Sequence, residues 1–190
     1  MKLIVGLGNP GKAYANNRHN IGFRITDFLS KEFLFPNWKC SDVFLSCRGK
    51  IDGQDIILIK PSTYMNLSGE AVRNASRFYK VKNADILVFH DDLDLSWGIL
   101  KKKLGGGHGG HNGIRSISSI IGEDYRRVRI GIGRPSHSSS VATYVLSNFS
   151  ANEEIDMENL YEFIRSDIFS MVNNHSFLIE EIRFNSKQKS

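Results

Sequence analysis

The strongest constraint on the fold is a set of short apolar runs, each too brief for a helix. "KLIVGLG" (2–8), "QDIILIKP" (54–61), "ADILVFHDD" (84–92) and "YRRVRIGIG" (125–133) have the length and branched content of buried strands. Helical-period segments separate them. "NIGFRITDFLSKEF" (20–33) puts Ile21, Ile25, Phe28 and Leu29 on one side, and "SGEAVRNASRFYK" (68–80) does the same with Ala71, Ala75 and Phe78. "NGIRSISSIIG" (112–122) reads as a short helix stopped by Gly122, and the stretch 152–182 reads as helical throughout. "VFLSCRGKI" (43–51) and the second run form a hairpin across Asp52-Gly53, and "GILKKKL" (98–104) alternates like a further strand. Strands interleaved with helices predict an α/β layer sandwich: one domain over 1–184, with a twisted, mixed, partly parallel sheet flanked by helices. The remaining "NSKQKS" (185–190) is expected to fray.

Composition narrows the function classes. With 190 residues, 41% of them hydrophobic, the chain can bury a sizeable core. No stretch approaches the roughly 20 apolar residues of a membrane span, and the apolar run at the start is shorter than a signal sequence needs. Cys40 and Cys47 fit no metal or redox spacing, which suits a reducing, cytoplasmic setting. The formal net charge of +5 favours an anionic partner.

That charge is concentrated around one segment. "LGGGHGGHNG" (104–113) carries six glycines, follows Lys101, Lys102 and Lys103, and is followed by Arg126, Arg127, Arg129 and Arg134. Glycine costs about 0.5–1 kcal/mol relative to alanine in ordered structure. So much of it implies either a floppy surface loop or bare backbone lying against a ligand, with Asn112 or a histidine presented beside it.

"GLGNPG" (6–11) matches the glycine fingerprint of dinucleotide sites, but the match stops there. No helix opens at once, Pro10 removes a backbone donor, and no acidic residue stands at the end of a second strand about 20 positions on. The polar residues gather instead where strands should end: Asn9, then Arg18-His19-Asn20, Tyr64-Met65-Asn66, Asp91-Asp92 and Asn112. A histidine paired with an aspartate suits a general base, and asparagines around it suit holding a water and a developing oxyanion. No serine or cysteine occupies a nucleophile motif, so water is the expected attacker. His90, His108 and His111 lack metal-ligand spacing, and none of them is assigned a catalytic part.

"LIVGLGNPGKAYANNRHNIGF", "KPSTYMNLSG", "VFHDDLDL", "KLGGGHGGHNGIRS" and "RVRIGIGRP" together closely resemble the bacterial peptidyl-tRNA hydrolase family, from residue 1 to about 149. The resemblance implies an esterase that cleaves a peptide from the 3′ ribose of tRNA. It implies His19 as catalytic base, Asp91 as the carboxylate that orients it, and Asn9 and Asn66 as residues placing the water and the substrate carbonyl. By the same resemblance Asn112 binds near the scissile ester, Met65 and Tyr14 line the cleft, and Lys103 and Arg129 hold the tRNA 5′-phosphate. The partner is peptidyl-tRNA, through its acceptor stem and 3′ CCA end, and the enzyme is a monomer with no metal, cofactor or membrane attachment. Asn17 stands where a threonine is usual, and Ser96-Trp97 replaces a frequent proline pair, which bears on loop shape alone. The alternative is a tRNA-binding module on the same fold without catalysis, expected to lack the trio His19, Asp91 and Asn9.

Overall fold

The four apolar runs pair side by side, and they pair in parallel. In the computed structural model, which describes residues 1–135, 140–173 and 181–184, they contribute β1 (Lys2–Gly6), β4 (Gln54–Pro61), β5 (Ile86–Asp92) and β7 (Arg126–Gly131). β1 pairs with β4 on one side and β5 on the other, and β7 extends the sheet beyond β5. Antiparallel strands close both flanks: β2 (Lys39–Cys40) and β3 (Phe44–Ile51) outside β4, β6 (Ile99–Leu104) and β8 (Glu181–Arg183) outside β7. The order β2-β3-β4-β1-β5-β7-β6-β8 makes one mixed sheet.

Side chains alternate across each strand, so the two faces carry separate cores. Ile4, Leu58 and Phe89 pack beneath α1 (Ile21–Glu32) and α5 (Ala151–Asn173); Val5, Ile57 and Val88 pack beneath α2 (Ser68–Phe78) and α3 (Asn112–Ile121). The chain leaves β1 through α1 towards β4, then returns through α2 on the other face to β5. This reversal opens a crevice beyond the carboxyl ends of β1 and β5, where open α/β sheets bind ligands. Among the described residues, no helix is long and apolar enough to cross a membrane.

The hairpin forms as its sequence dictates. Ile51 pairs with Gln54, and Asp52 and Gly53 both have positive φ (46° and 81°), the two-residue turn that matches strand twist. Two readings change. Phe78 does not join the buried side of α2: Ala71, Val72 and Ala75 fill it and Phe78 is 74% exposed, because it closes the last turn beyond the sheet. Helix also does not run through 152–182. The described helix covers Ala151–Asn173, and Glu181–Arg183 adds a strand along β6, pairing with that strand's outer edge. Residues 174–180 and the expected frayed tail 185–190 lie outside the described residues. A short helix α4 (Val141–Val145) and the two-residue β2 have no counterpart in the periodicity.

Glycines 6 and 22 set how closely α1 approaches the sheet. A Cβ on Gly6 would lie 2.1 Å from the Gly22 carbonyl oxygen, and one on Gly22 would lie 2.3 Å from the Leu7 nitrogen and 2.4 Å from the Phe89 oxygen. All three neighbours are backbone, so none can swing away. Gly22→Ala is therefore expected to destabilise by at least about 2 kcal/mol, lowering Tm by roughly 4–8 °C for a domain of this size. Gly107→Ala, where an added Cβ meets nothing within 4 Å, is the control and should stay within about 0.5 kcal/mol. Equal Tm values for the two variants in thermal denaturation would disprove the backbone contact.

Candidate active site

The loop after β1 is closed by asparagines. The Asn9 N–H donates to Asn20 Oδ1 at 3.0 Å, and Asn20 Nδ2 donates back to the Asn9 carbonyl at 2.9 Å. Between them the chain makes two 3₁₀ turns, Lys12–Tyr14 and Arg18–Asn20, and the second carries His19 to the mouth of the crevice. Arg18 anchors that turn. Its guanidinium makes a two-pronged pair with Glu153 of α5 (2.7 and 2.8 Å) and lies over the rings of Tyr144 and Phe149. The helix α4, which contributes Val141 and Val145 to the cleft wall, is thereby tied to the turn bearing His19.

At the end of β5, Asp91 is buried, and one of its oxygens receives two imidazoles. His19 Nδ1 lies 2.8 Å from Asp91 Oδ1, and His111 Nε2 lies 3.0 Å from the same atom. The tautomers follow from the other contacts. His111 caps α3, its Nδ1 accepting from the N–H groups of Gly113 (3.1 Å) and Ile114 (3.3 Å). That nitrogen is bare, so Nε2 carries the proton and donates it to Asp91. His19 likewise donates through Nδ1, which leaves Nε2 as the free lone pair on a side chain lining the cleft.

The electrostatics agree with this arrangement. Burial disfavours the His19 imidazolium, but the charge and hydrogen bond of Asp91 outweigh it and hold the His19 pKa above its ordinary 6.5. Burial likewise opposes the Asp91 charge, and the two imidazoles overcome that, keeping the carboxyl well below the usual carboxylate range. His19, Asp91 and His111 also place metal-ligand-type atoms within 4.8 Å of one another. The donor set does not suit an ion, because the single lone pair of His111 is occupied by the α3 backbone.

These groups open into a cleft of about 540 Å³. Asn9 and Met65 share a contact on its floor: Asn9 Oδ1 accepts from the Met65 N–H at 2.9 Å, leaving the Asn9 amide N–H₂ for a ligand. Asn66 and Asn112 line the cleft from exposed positions, and Tyr64 and Leu146 add apolar surface. Of the sequence candidates, His19, Asp91, Asn9, Met65, Asn66 and Asn112 come together here. Tyr14 does not line this cleft; it sits on the first 3₁₀ turn, beside Gly11.

Lys103 and Arg129 lie outside the cleft wall, on the face of the sheet that carries α3. Antiparallel register places Lys103 opposite Arg127 and Lys101 opposite Arg129, so all four project from one face. They are not equivalent. Arg127 is buried and donates to the carbonyl oxygens of Gly105, Gly106 and Gly107, which fixes the glycine loop. Arg129 pairs with Asp92 at 2.6 Å, and Lys101 lies 3.8 Å from Glu181. The Lys103 pKa is lowered, by burial and then by the charges of Arg127 and Arg129.

Residues 3–190 match the family model described as peptidyl-tRNA hydrolase. The chain belongs to the peptidyl-tRNA hydrolase family. It is 51% identical to a peptidyl-tRNA hydrolase of Cereibacter sphaeroides over 154 residues, 81% of this chain and 68% of that protein. A relative from Rhizobium etli is 46% identical over 174 residues, covering 92% of this chain and 72% of its own length. The crystal structure of the peptidyl-tRNA hydrolase of Acinetobacter baumannii superposes with a TM-score of 0.85 at 41% identity, covering 90% of this chain and 88% of that one.

Arg18 and His111 are among the contributors to the site that the sequence candidates did not include. Arg18 stood beside His19 in the sequence but shows its role only through Glu153, 135 residues away. His111 did carry a signal: it immediately precedes a helical segment, which is a capping position. The site yields a direct titration test. By NMR, the His19 imidazole should titrate above 6.5 in the unaltered protein and below it in Asp91→Asn, where burial acts without the opposing charge. An unchanged titration in the variant would mean that Asp91 does not govern His19.

Proposed function

We propose that this chain hydrolyses the ester between a peptide and the 3′ ribose of tRNA. The observation that carries the proposal is the single Asp91 oxygen that receives both His19 Nδ1 and His111 Nε2, leaving His19 Nε2 free at the cleft. His19 Nε2 takes a proton from a water as that water attacks the ester carbonyl, and Asp91 holds the imidazole in the required tautomer and stabilises the imidazolium. The Asn9 amide N–H donates to the developing oxyanion, with Asn66 helping to place the carbonyl and the water. The tetrahedral intermediate then expels the 3′-oxygen, which takes the proton from His19. Asn112, which lines the same cleft, is assigned to bind the ribose end. Val141, Val145 and Leu146 offer apolar surface to the peptide side. The steps need no metal or cofactor, and a monomer working in the cytoplasm would suffice.

Lys103 and Arg129 are proposed to hold the 5′-phosphate of the tRNA. A terminal phosphate carries more charge than an internal one, so two cations there distinguish a free 5′ end. Arg127 is excluded as a substitute by its engagement with the glycine loop. The decisive assay is release of an N-blocked amino acid from tRNA, with free aminoacyl-tRNA as control.

In that assay His19→Ala should lower turnover by roughly 10²–10⁴ while substrate binding survives. Near-normal turnover would remove His19 from the mechanism. The kcat/KM profile should rise with pH through one limb lying above 6.5, because the base form of His19 accumulates only above its raised pKa. A limb below 6.5 would show that Asp91 does not stabilise the imidazolium.

Lys103→Ala should raise KM, leave kcat at saturation nearly unchanged, and make the salt dependence of log K shallower by about one unit or less. It should also abolish any preference for tRNA bearing a 5′-phosphate. Arg129→Ala is the less clean variant, since it also strips Asp92 of its partner. Full discrimination by Lys103→Ala would place the phosphate site elsewhere.

A further inference from the structure

His90 takes no part in the steps above, yet it is 3% exposed and adjoins Asp91 in β5. Its Nδ1 lies 2.7 Å from the Asp91 carbonyl oxygen. A carbonyl only accepts, so Nδ1 carries the proton and Nε2 is a bare lone pair. Among the described residues no hydrogen bond reaches that Nε2, although the atom is buried. The ring stands edge-on to His111, with centroids 4.9 Å apart at 73°, and the His111 ring lies 4.9 Å from that of His19.

An apolar side chain would fill this space without leaving a polar atom unpaired, the usual condition of a buried site. The imidazole therefore has to be explained by what its other nitrogen does. The charged and titratable groups around it are Asp91 on its own strand, His111 at the start of α3 and Arg127 on β7. Burial, joined by the positive charge of Arg127, pushes the His90 pKa well below its ordinary value, so the ring stays neutral while His19 titrates.

We propose that His90 is a positioning residue for the hydrolysis. Its Nδ1–H fixes the peptide plane of Asp91, and its ring sets the tilt of His111, so that two N–H donors meet one carboxylate oxygen. This builds on the roles of His19 and Asp91 given under the proposed function.

The test compares His90→Phe, which keeps a flat ring and loses the donor, with His90→Asn, whose Nδ2 can replace the lost N–H. His90→Phe should keep the unaltered circular dichroism spectrum and lower kcat roughly 10- to 100-fold, the penalty of a slightly displaced catalytic group. KM should change by less than about twofold, since the phosphate contacts lie elsewhere. The limb of its kcat/KM profile should move to lower pH, as His19 loses a well-aligned Asp91. His90→Asn should recover most of the kcat and restore the limb. Wild-type kcat and limb in His90→Phe, or equal losses in the two variants, would overturn the proposal. If His90→Phe does not fold, nitrogen-15 spectra of the unaltered imidazoles decide: His90 should remain the neutral Nδ1–H tautomer throughout the pH range in which His19 titrates, and an Nε2–H tautomer or a titration in that range would overturn it. Those spectra are independent of turnover, so failure of the unaltered protein to cleave peptidyl-tRNA would count against the hydrolytic reading and not against this one.

Discussion

One buried carboxylate oxygen, Asp91 Oδ1, organises the cleft. A lone ionised carboxylate out of water is costly enough that proteins usually neutralise it, and removing one partner of a buried charge costs about 3–5 kcal/mol. Here two N–H donors converge on it, from a 3₁₀ turn and from the cap of a helix. Of the two donors, His111 is held from its far nitrogen and His19 from the Asp91 side alone. The α3 backbone settles the His111 tautomer, and Asp91 settles that of His19. A reactive lone pair at the cleft is thus the remainder of a fully assigned set of hydrogen bonds.

The surrounding elements reach this point through close, largely inflexible contacts. Backbone meets backbone where α1 crosses β1, so the 3₁₀ turn between them has little freedom. Arg18 binds the turn to α5 and, through Tyr144, to the helix on the opposite wall of the cleft. Across the sheet, Arg127 takes up three consecutive carbonyl groups of the glycine loop. The loop is therefore pinned from within. Its glycines supply positive φ at Gly105, Gly106, Gly109 and Gly110, leading the chain into His111 and Asn112 with His108 as the one side chain between.

The sheet and most helices could be read from the chain because their signals are local: apolar runs, period-3.6 faces and the Asp-Gly turn. The asparagine and histidine positions could be read through the family resemblance. What escaped was set by distant partners. β8 is three residues long, and its identity comes from the open edge of β6, some 80 positions earlier in the chain. Phe78 satisfies the helical period of α2 but falls past the end of the surface that α2 covers. Cationic density near the glycine loop pointed to an anionic partner, yet it could not separate Arg127, turned inward, from Lys103. Even the importance of His111 needed coordinates, because a capping histidine and an Asp91 donor look identical in a string of letters.

The contact between Gly6 and Gly22 has a consequence for how such a protein can diversify. An imidazole carried on a turn between two elements that meet through main-chain atoms can be adjusted only through the few side chains that hold that turn, Arg18 and Asn20 among them. Descendants of this chain inherit the position of His19 almost as a fixed coordinate. Substitution meets least resistance on the rim, at positions such as Tyr64, Val141 and Leu146, which line the cleft with exposed side chains. The floor and the rim of one cleft are in this way parts of the molecule that can evolve at different speeds.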